Sequence, residues 1–468
     1  MKKILFSSLF SLFSLILLSQ NPNAYTGQWL GTLQVQGQKL RIGLSVSDSS
    51  GVLLSYLMSP DQGIMRIEVE KTTVNNDTLL AKCRDVPASV KGRLNATGDT
   101  LKGYWIQGRK FVLNLARVEQ LPQMNRPQEP QKPYPYEEEE VSFTDAKSGI
   151  TFAGTLTLPR GDKKFPAVVL VSGSGPQNRN EELLGHKPFL VIADYLTRQG
   201  IAVLRYDDRG TGASKGVFST STTLDFAQDA EAAFTFLLND ARIDATKIGI
   251  MGHSEGGMIA PMVAARNPGV AFVVMLAGPG LKGEDILLLQ SDLIQKADST
   301  PQSEIDANTA LNKKMYAIAI KEKDDKKAAD KMRVLIDEYW KTVNPETIKK
   351  YGLDKKILVQ SVYQILTPWF RYFLQSDPAK YLVRVKCPVL AVNGSKDLQV
   401  PPQQDLEAIK KYLTKAGNKH FTIKEFEGLN HLFQHATTGS PSEYVDIEET
   451  FAPEVLEYLG KWISDISK

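Results

Sequence analysis

Ile248-Gly249-Ile250-Met251-Gly252-His253-Ser254-Glu255-Gly256-Gly257-Met258-Ile259-Ala260 sets a serine between an apolar run of strand length and the start of an apolar helix, with a glycine two residues to either side. A strand that turns sharply into a helix through small residues leaves the Ser254 hydroxyl at a strained, exposed apex. It also aims the N–H of the next residue at an oxygen of an attacked carbonyl. The stretch reads as a nucleophile elbow, and the chemistry it points to is serine-dependent acyl transfer. About 0.1 to 0.2 accidental G-x-S-x-G matches are expected in a chain of 468 residues. The weight therefore falls on the strand-turn-helix setting and on the partners that follow.

Downstream, Pro388-Val389-Leu390-Ala391-Val392-Asn393-Gly394 reads as a buried strand, and Asp397 follows at its carboxyl end. A second strand, Phe421-Thr422-Ile423-Lys424-Glu425-Phe426, runs into Gly428-Leu429-Asn430-His431. Catalytic groups in open parallel sheets sit at the carboxyl ends of strands, and Ser254, Asp397 and His431 all fall there in the chain order Ser, Asp, His. In these roles His431 takes the Ser254 proton and returns it to the leaving group, while Asp397 fixes the imidazole tautomer. An aspartate after a strand is by itself more often a turn residue. Only five histidines exist. His253 lies inside the elbow and is assigned to packing, and His186 and His420 do not follow the last strand. His435, four residues beyond His431, is the rival base.

The electrophilic half of the site is expected after the strand Ala167-Val168-Val169-Leu170-Val171, in Ser172-Gly173-Ser174-Gly175-Pro176. Small residues let backbone amides approach a substrate oxygen, so the N–H groups of Ser174 and Glu255 form a candidate two-donor oxyanion hole. These segments, with Tyr206-Asp207-Asp208-Arg209-Gly210-Thr211-Gly212 and Asn430-His431-Leu432-Phe433, together resemble the α/β-hydrolase superfamily. More narrowly they are similar to bacterial carboxylesterases that carry a β-rich domain ahead of the hydrolase and are often described as serine aminopeptidase-like. The resemblance covers about residues 140–468 and implies an α/β-hydrolase fold. Many relatives begin the oxyanion loop with His-Gly where this chain has Ser172-Gly173, which leaves the backbone donors in place and the side-chain support of the loop unassigned.

Patterning agrees independently. Apolar runs at 165–172, 201–206, 247–252, 271–277 and 388–394 alternate with helical patterns, as expected for a mostly parallel sheet covered by helices on both faces. In the helix over 223–239, Phe226, Ala230, Ala233 and Leu237 recur on one face. Between about 281 and 375 the alternation gives way to a lysine-rich helical stretch, an insertion expected to cap the strand ends. Its end, Pro368-Trp369-Phe370-Arg371-Tyr372-Phe373, offers Trp369 and Phe370 as pocket candidates, with anchoring of the cap an equal alternative. Residues 25–118 alternate apolar and polar positions in short runs between turn signals, a small all-β domain of sandwich or barrel type. Prolines punctuate 120–136 ahead of Glu137-Glu138-Glu139-Glu140, so 119–140 reads as a stiff linker, with the α/β unit spanning 141–468.

At the amino terminus, Lys2 and Lys3 precede an apolar stretch from Ile4 to Leu18 that is too short to span a membrane. Residues 1–24 are therefore expected to be a signal peptide, and the mature chain a periplasmic or secreted protein without a membrane span. A net charge of +3 and 42% hydrophobic content fit globular domains and argue against nucleic acid as a partner. Cys83 and Cys387 fall in different expected domains and make no disulfide scaffold. No metal-binding cluster and no cofactor site is expected. Gly278-Pro279-Gly280-Leu281-Lys282-Gly283 fits a dinucleotide fingerprint, but Pro279 removes a phosphate-binding N–H and no strand-helix-strand unit surrounds it.

The chain is thus expected to be a serine hydrolase acting on small-molecule esters or acylated saccharides through Ser254, His431 and Asp397. The competing readings are an exopeptidase using the same triad, which would need acids such as Glu181, Glu182 or Glu255 to bind an ammonium, and a non-catalytic glycan- or envelope-binding protein. Oligomeric state is left open by the sequence.

Overall fold

A computed structural model describes residues 22–468, apart from residues 36–37, 50, 63, 85, 123–124, 347 and 349–353. Most of the expected signal peptide, residues 1–21, lies outside the described residues. The chain divides into two compact units, residues 1–123 and 124–468.

The first unit is a closed antiparallel barrel of eight strands: β1 (Gly27–Val35), β2 (Gln38–Ser49), β3 (Val52–Ser59), β4 (Ile64–Asn75), β5 (Thr78–Cys83), β6 (Ser89–Leu94), β7 (Thr100–Gln107) and β8 (Arg109–Val118). Pairing of β1 with β8, from Gln28↔Val118 to Gly31↔Leu115, closes it and decides for a barrel over a sandwich. Period-two alternation sends Leu79, Ala81, Leu101, Leu113 and Leu115 inward, where Trp29 is fully buried and its indole N–H is satisfied by the Tyr25 carbonyl at 2.9 Å.

The second unit is an α/β domain built on a mixed sheet. Its strands are β9 (Glu137–Thr144), β10 (Thr151–Leu158), β11 (Phe165–Val171), β12 (Ala202–Tyr206), β13 (Ile243–His253), β14 (Phe272–Leu276), β15 (Val389–Gly394) and β16 (Phe421–Phe426). They lie in the order β16-β15-β14-β13-β11-β12-β10-β9. The β9–β10 and β10–β12 pairs are antiparallel and the others parallel. The central strands are buried on both faces, which is why they read as continuous apolar runs. One face carries helices Thr223–Leu238, Glu255–Ala264 and Pro402–Lys415, and the other carries Pro188–Arg198 and Pro453–Ile466. The face at 223–239 is as the pattern foretold: Ala230, Ala233 and Leu237 are buried, and Phe226 packs against the same core. Between β14 and β15 the insertion rises as helices Gly283–Ala297, Gln302–Lys321, Asp325–Thr342, Lys355–Ile365 and Pro368–Leu374, with a core of their own around Met315, Met332, Ile336 and Val362.

The segment read as a linker differs. Glu137–Glu140 form the first half of β9, so the sheet begins before residue 141. Four adjacent acids look like a solvated charge run, but Lys132, Arg242 and Arg179 supply cations to Glu138, Glu139 and Glu140. These partners are distant in sequence or hidden by the prolines. The preceding residues are tied down as well. The Arg126 guanidinium donates to the carbonyls of Ile447, Leu184 and Val445, Gln128 bonds the backbone of Thr450 and Phe451, and the Tyr136 hydroxyl donates to Asp194.

Candidate active site

Ser254 joins β13 to the helix Glu255–Ala264 with φ 52° and ψ −119°, a conformation that costs a side-chain-bearing residue about 1–3 kcal/mol. The glycines around it answer to close backbone approach. A Cβ on Gly252 would lie 1.9 Å from the Gly256 carbonyl oxygen, and one on Gly256 would lie 2.1 Å from that of Val171. The Ser254 N–H is held by the Leu276 carbonyl at 2.9 Å, pinning the turn to β14.

Asp397 follows β15 and His431 follows β16. The carboxylate Oδ2 of Asp397 lies 2.8 Å from His431 Nδ1, and Oδ1 accepts the N–H groups of Gln399 (2.8 Å) and Val400 (2.9 Å). Both side chains are almost wholly buried. Asn430 shapes the histidine loop by accepting the N–H groups of Leu432 (3.0 Å) and Gln434 (2.9 Å) through its side chain. With Nδ1 engaged by Asp397, Nε2 is the nitrogen left for proton transfer, and His431 lines the same cavity as Ser254. His435 stands on the surface against Glu449 and Glu454. His186, also on the cavity wall, is pushed down to about 4 by burial and bonds the Tyr444 carbonyl and the Thr450 hydroxyl.

Ser174 and Glu255 line this cavity, and among the described residues neither backbone N–H has an acceptor within the protein. The support of the oxyanion loop, unassigned from sequence, comes from Asp208. Its Oδ1 accepts the Ser172 hydroxyl at 2.8 Å and its Oδ2 the Gln177 N–H at 2.9 Å. The residue as a whole keeps some surface, yet its carboxyl is enclosed beneath the loop. Burial pushes it up to about 8, against the two hydrogen bonds and with the Glu181 and Glu255 charges adding to the rise. A carboxyl raised in this way holds a proton in the folded chain that the unfolded chain releases near 3.9. Its contribution to stability is complete below that pH and is lost as pH rises through about 8. Asp208→Asn, whose amide can serve both loop partners without titrating, is expected to flatten the fall of Tm between pH 5 and 9. Equal slopes in thermal denaturation of the two proteins would remove Asp208 from this role.

The cavity has a volume of about 220 Å³. Ile286, Leu287, Trp369 and Phe373 of the insertion line it on one side, and Leu183, His186 and Leu432 on loops, with Pro188 at a helix start, also line it. The Trp369 indole N–H reaches the Glu255 carboxylate at 2.8 and 3.0 Å, and Glu255 also accepts the hydroxyls of Thr223, at 2.6 Å, and Ser174. Burial pushes the Glu255 carboxyl up, and these donors oppose it. Phe370, the other pocket candidate, is not on the wall. Trp369 and Phe373 sit four residues apart on one helix face, their rings stacked at 5.4 Å, whereas Phe370 is turned about 100° away and packs on Tyr316 inside the cap.

The chain is similar to several known proteins. An esterase, EstD, of Thermotoga maritima is 27% identical over 311 residues, covering 66% of this chain and 65% of that protein. The chain therefore spans just under two thirds of that relative. An uncharacterised 31.7 kDa protein of Escherichia coli is 25% identical over 269 residues, 56% of this chain and 84% of its own length. Among solved structures, an esterase of Pyrococcus furiosus, Pf2001, aligns with 15% identity and a TM-score of 0.44 over 75% of this chain and 100% of that one. Residues 187–436, more than half of the chain, match the Hydrolase_4 family, described as serine aminopeptidase, S33, and the chain belongs to that family of α/β hydrolases.

Proposed function

We propose that the protein is an exported serine esterase that cleaves carboxylic esters of short or medium acyl chain through an acyl-enzyme. The observation that carries this reading is the buried Asp397–His431 pair, 2.8 Å apart, on the same cavity as the strained Ser254. His431 removes the Ser254 proton through Nε2 as the hydroxyl attacks the ester carbonyl, and Asp397 steadies the imidazolium that results. The N–H groups of Ser174 and Glu255 receive the developing oxyanion. His431 then protonates the departing alcohol, and water attacking the acyl-Ser254 reverses the sequence.

The cavity, about seven water volumes, suits a small acyl group. Its two acids do not favour an aminopeptidase. Glu181 bonds Gly173 and His253, while Glu255 bonds Thr223, Trp369 and Ser174, so neither is a spare anchor for a substrate ammonium. The relative named an esterase agrees with that preference. Export rests on the basic, then apolar, amino terminus and is checked by amino-terminal sequencing of the mature protein. A panel of p-nitrophenyl esters and aminoacyl anilides tests the activity, with higher kcat/KM expected for at least one short ester than for every anilide. The opposite ranking would replace the esterase reading with an exopeptidase one.

Trp369 is expected to set acyl length. Trp369→Ala opens the cap wall and should move the best substrate to chains longer by about two to four carbons. Trp369→Phe keeps one aromatic ring while losing the second ring and the donor to Glu255, so it should shift the preferred length less than the alanine variant does. An acyl-length series reads both variants, and an unchanged optimum in the alanine variant would place the acyl group elsewhere.

A further inference from the structure

His253 and Glu181 are buried, chargeable groups on the cavity wall to which the steps of ester cleavage assign no role. Glu181 lies in the loop after β11 in a left-handed conformation, φ 50°. Its Oε1 accepts the Gly173 N–H at 2.7 Å and lies 3.0 Å from His253 Nδ1. On the other side of the ring, His253 Nε2 lies 2.9 Å from the main-chain carbonyl oxygen of His431. One chain of contacts thus runs from the residue before the Ser174 donor, through the residue before Ser254, to the backbone of the base.

The partners fix the protons. A carbonyl oxygen can only accept, so His253 Nε2 carries a hydrogen. Nδ1 faces a carboxylate oxygen that already accepts an amide, and the contact is attractive only if a further proton lies between them. The arrangement is that of an imidazolium donating at both nitrogens. Burial alone would strip that proton. The charge and hydrogen bond of Glu181, the His431 carbonyl and the charge of Asp397 outweigh burial and hold His253 above the ordinary histidine range. The titratable groups around His253 are Glu181 on the oxyanion loop and His431 and Asp397 after β16 and β15, while Asp208 shares a local field with Glu181 and Glu255.

We infer that Glu181 and His253 are positioning residues: as one proton-holding pair they keep the oxyanion loop and the loop of the base in register, and turnover declines on the alkaline side when the pair loses its proton. A neutral His253 that keeps its Nε2 hydrogen presents an Nδ1 lone pair to the Glu181 carboxylate. The contact becomes repulsive, and Gly173 and His431 lose their common tether. The inference rests on the proposed triad, because it assigns His431 as the base that is held.

Glu181→Gln separates position from protonation. The glutamine oxygen can still accept the Gly173 N–H, and its amide can donate to Nδ1 of a neutral His253, so the bonds persist without the titrating proton. The full-length wild type is expected to show a kcat/KM profile for a short p-nitrophenyl ester that falls at alkaline pH after subtraction of the uncatalysed rate. Glu181→Gln is expected to lose that fall while KM stays within about twofold. His253→Ala, which cuts the tether, is expected to lower kcat about 10- to 100-fold with a smaller change in KM. If that variant does not fold because it strands Glu181, His253→Ala combined with Glu181→Gln is measured instead. Ser254 labelling by a fluorophosphonate distinguishes the failures. No labelling of wild type would sink the triad itself. A wild type that labels and turns over, with no alkaline decline or with one that Glu181→Gln leaves in place, would overturn the positioning role alone.

Discussion

Ser254→Ala is expected to lower ester turnover by about 10⁴-fold or more while leaving the fold intact. The size of the loss follows from the position of the hydroxyl. Ser254 borders the cavity of the Asp397-paired histidine, and among the described residues its Oγ makes no hydrogen bond to the protein that alanine would break. Nor does the change relieve the turn, since alanine at φ 52° bears the same Cβ strain as serine, and the contacts that force glycine at 252 and 256 remain. Thermal denaturation should accordingly show a Tm within a degree or two of wild type. Fluorophosphonate should label the wild type at Ser254 and fail to label the variant. Retention of turnover within tenfold, in a protein of unchanged Tm, would move the nucleophile elsewhere.

The elbow is legible in sequence because its geometry demands glycine at two fixed places. Gly252 and Gly256 mark where backbones approach within about 2 Å of where a Cβ would stand, and no other residue type fits. Asp397 and His431 are legible for a different reason: each follows an apolar run short enough to be a buried parallel strand, and such strands deliver their carboxyl ends to one edge of the sheet. The cap is legible as an interruption, a stretch without the strand-helix alternation. Residues whose role depends on tertiary pairing are not. Asp208 lies in a quoted motif, yet its bond to the Ser172 hydroxyl joins two loops 36 positions apart. His253 reads as a packing residue within the elbow, and its actual partners, Glu181 and the His431 carbonyl, lie 72 and 178 positions away. Glu137–Glu140 read as linker because charge counts one strand at a time, while the cations that make an edge strand of it come largely from other elements. Phe370 illustrates the limit of a cluster. Four aromatics in five residues suggest one surface, but helical rotation gives Trp369 and Phe373 to the cavity, Phe370 to the interior of the cap and the Tyr372 hydroxyl to that of Tyr381.

Replacing His431 by alanine should cost about as much as replacing the serine, on the order of 10⁴-fold or more in kcat, while His435→Ala should stay within about twofold. The two histidines differ in every property that catalysis needs. His431 is buried, its Nδ1 is fixed by Asp397, and its ring faces the cavity of Ser254. His435 is more than half exposed and pairs with Glu449 and Glu454, contacts that at a solvated surface contribute about 0–1 kcal/mol and position nothing at the cavity. The carboxylate adds a sharper test. Asp397 accepts from two backbone N–H groups through Oδ1 and from His431 Nδ1 through Oδ2, so Asp397→Asn can keep the first pair through its carbonyl oxygen and turn an NH₂ toward the imidazole. An NH₂ donates, which forces the hydrogen of neutral His431 onto Nε2 and leaves that nitrogen no lone pair with which to take the Ser254 proton. The expected result is a kcat reduced by about 10⁴-fold with KM nearly unchanged, since nothing that holds the ester has moved. Steady-state kinetics on one short ester reads all three variants. An active Asp397→Asn or His431→Ala protein, or an inactive His435→Ala protein of unchanged Tm, would reassign the base.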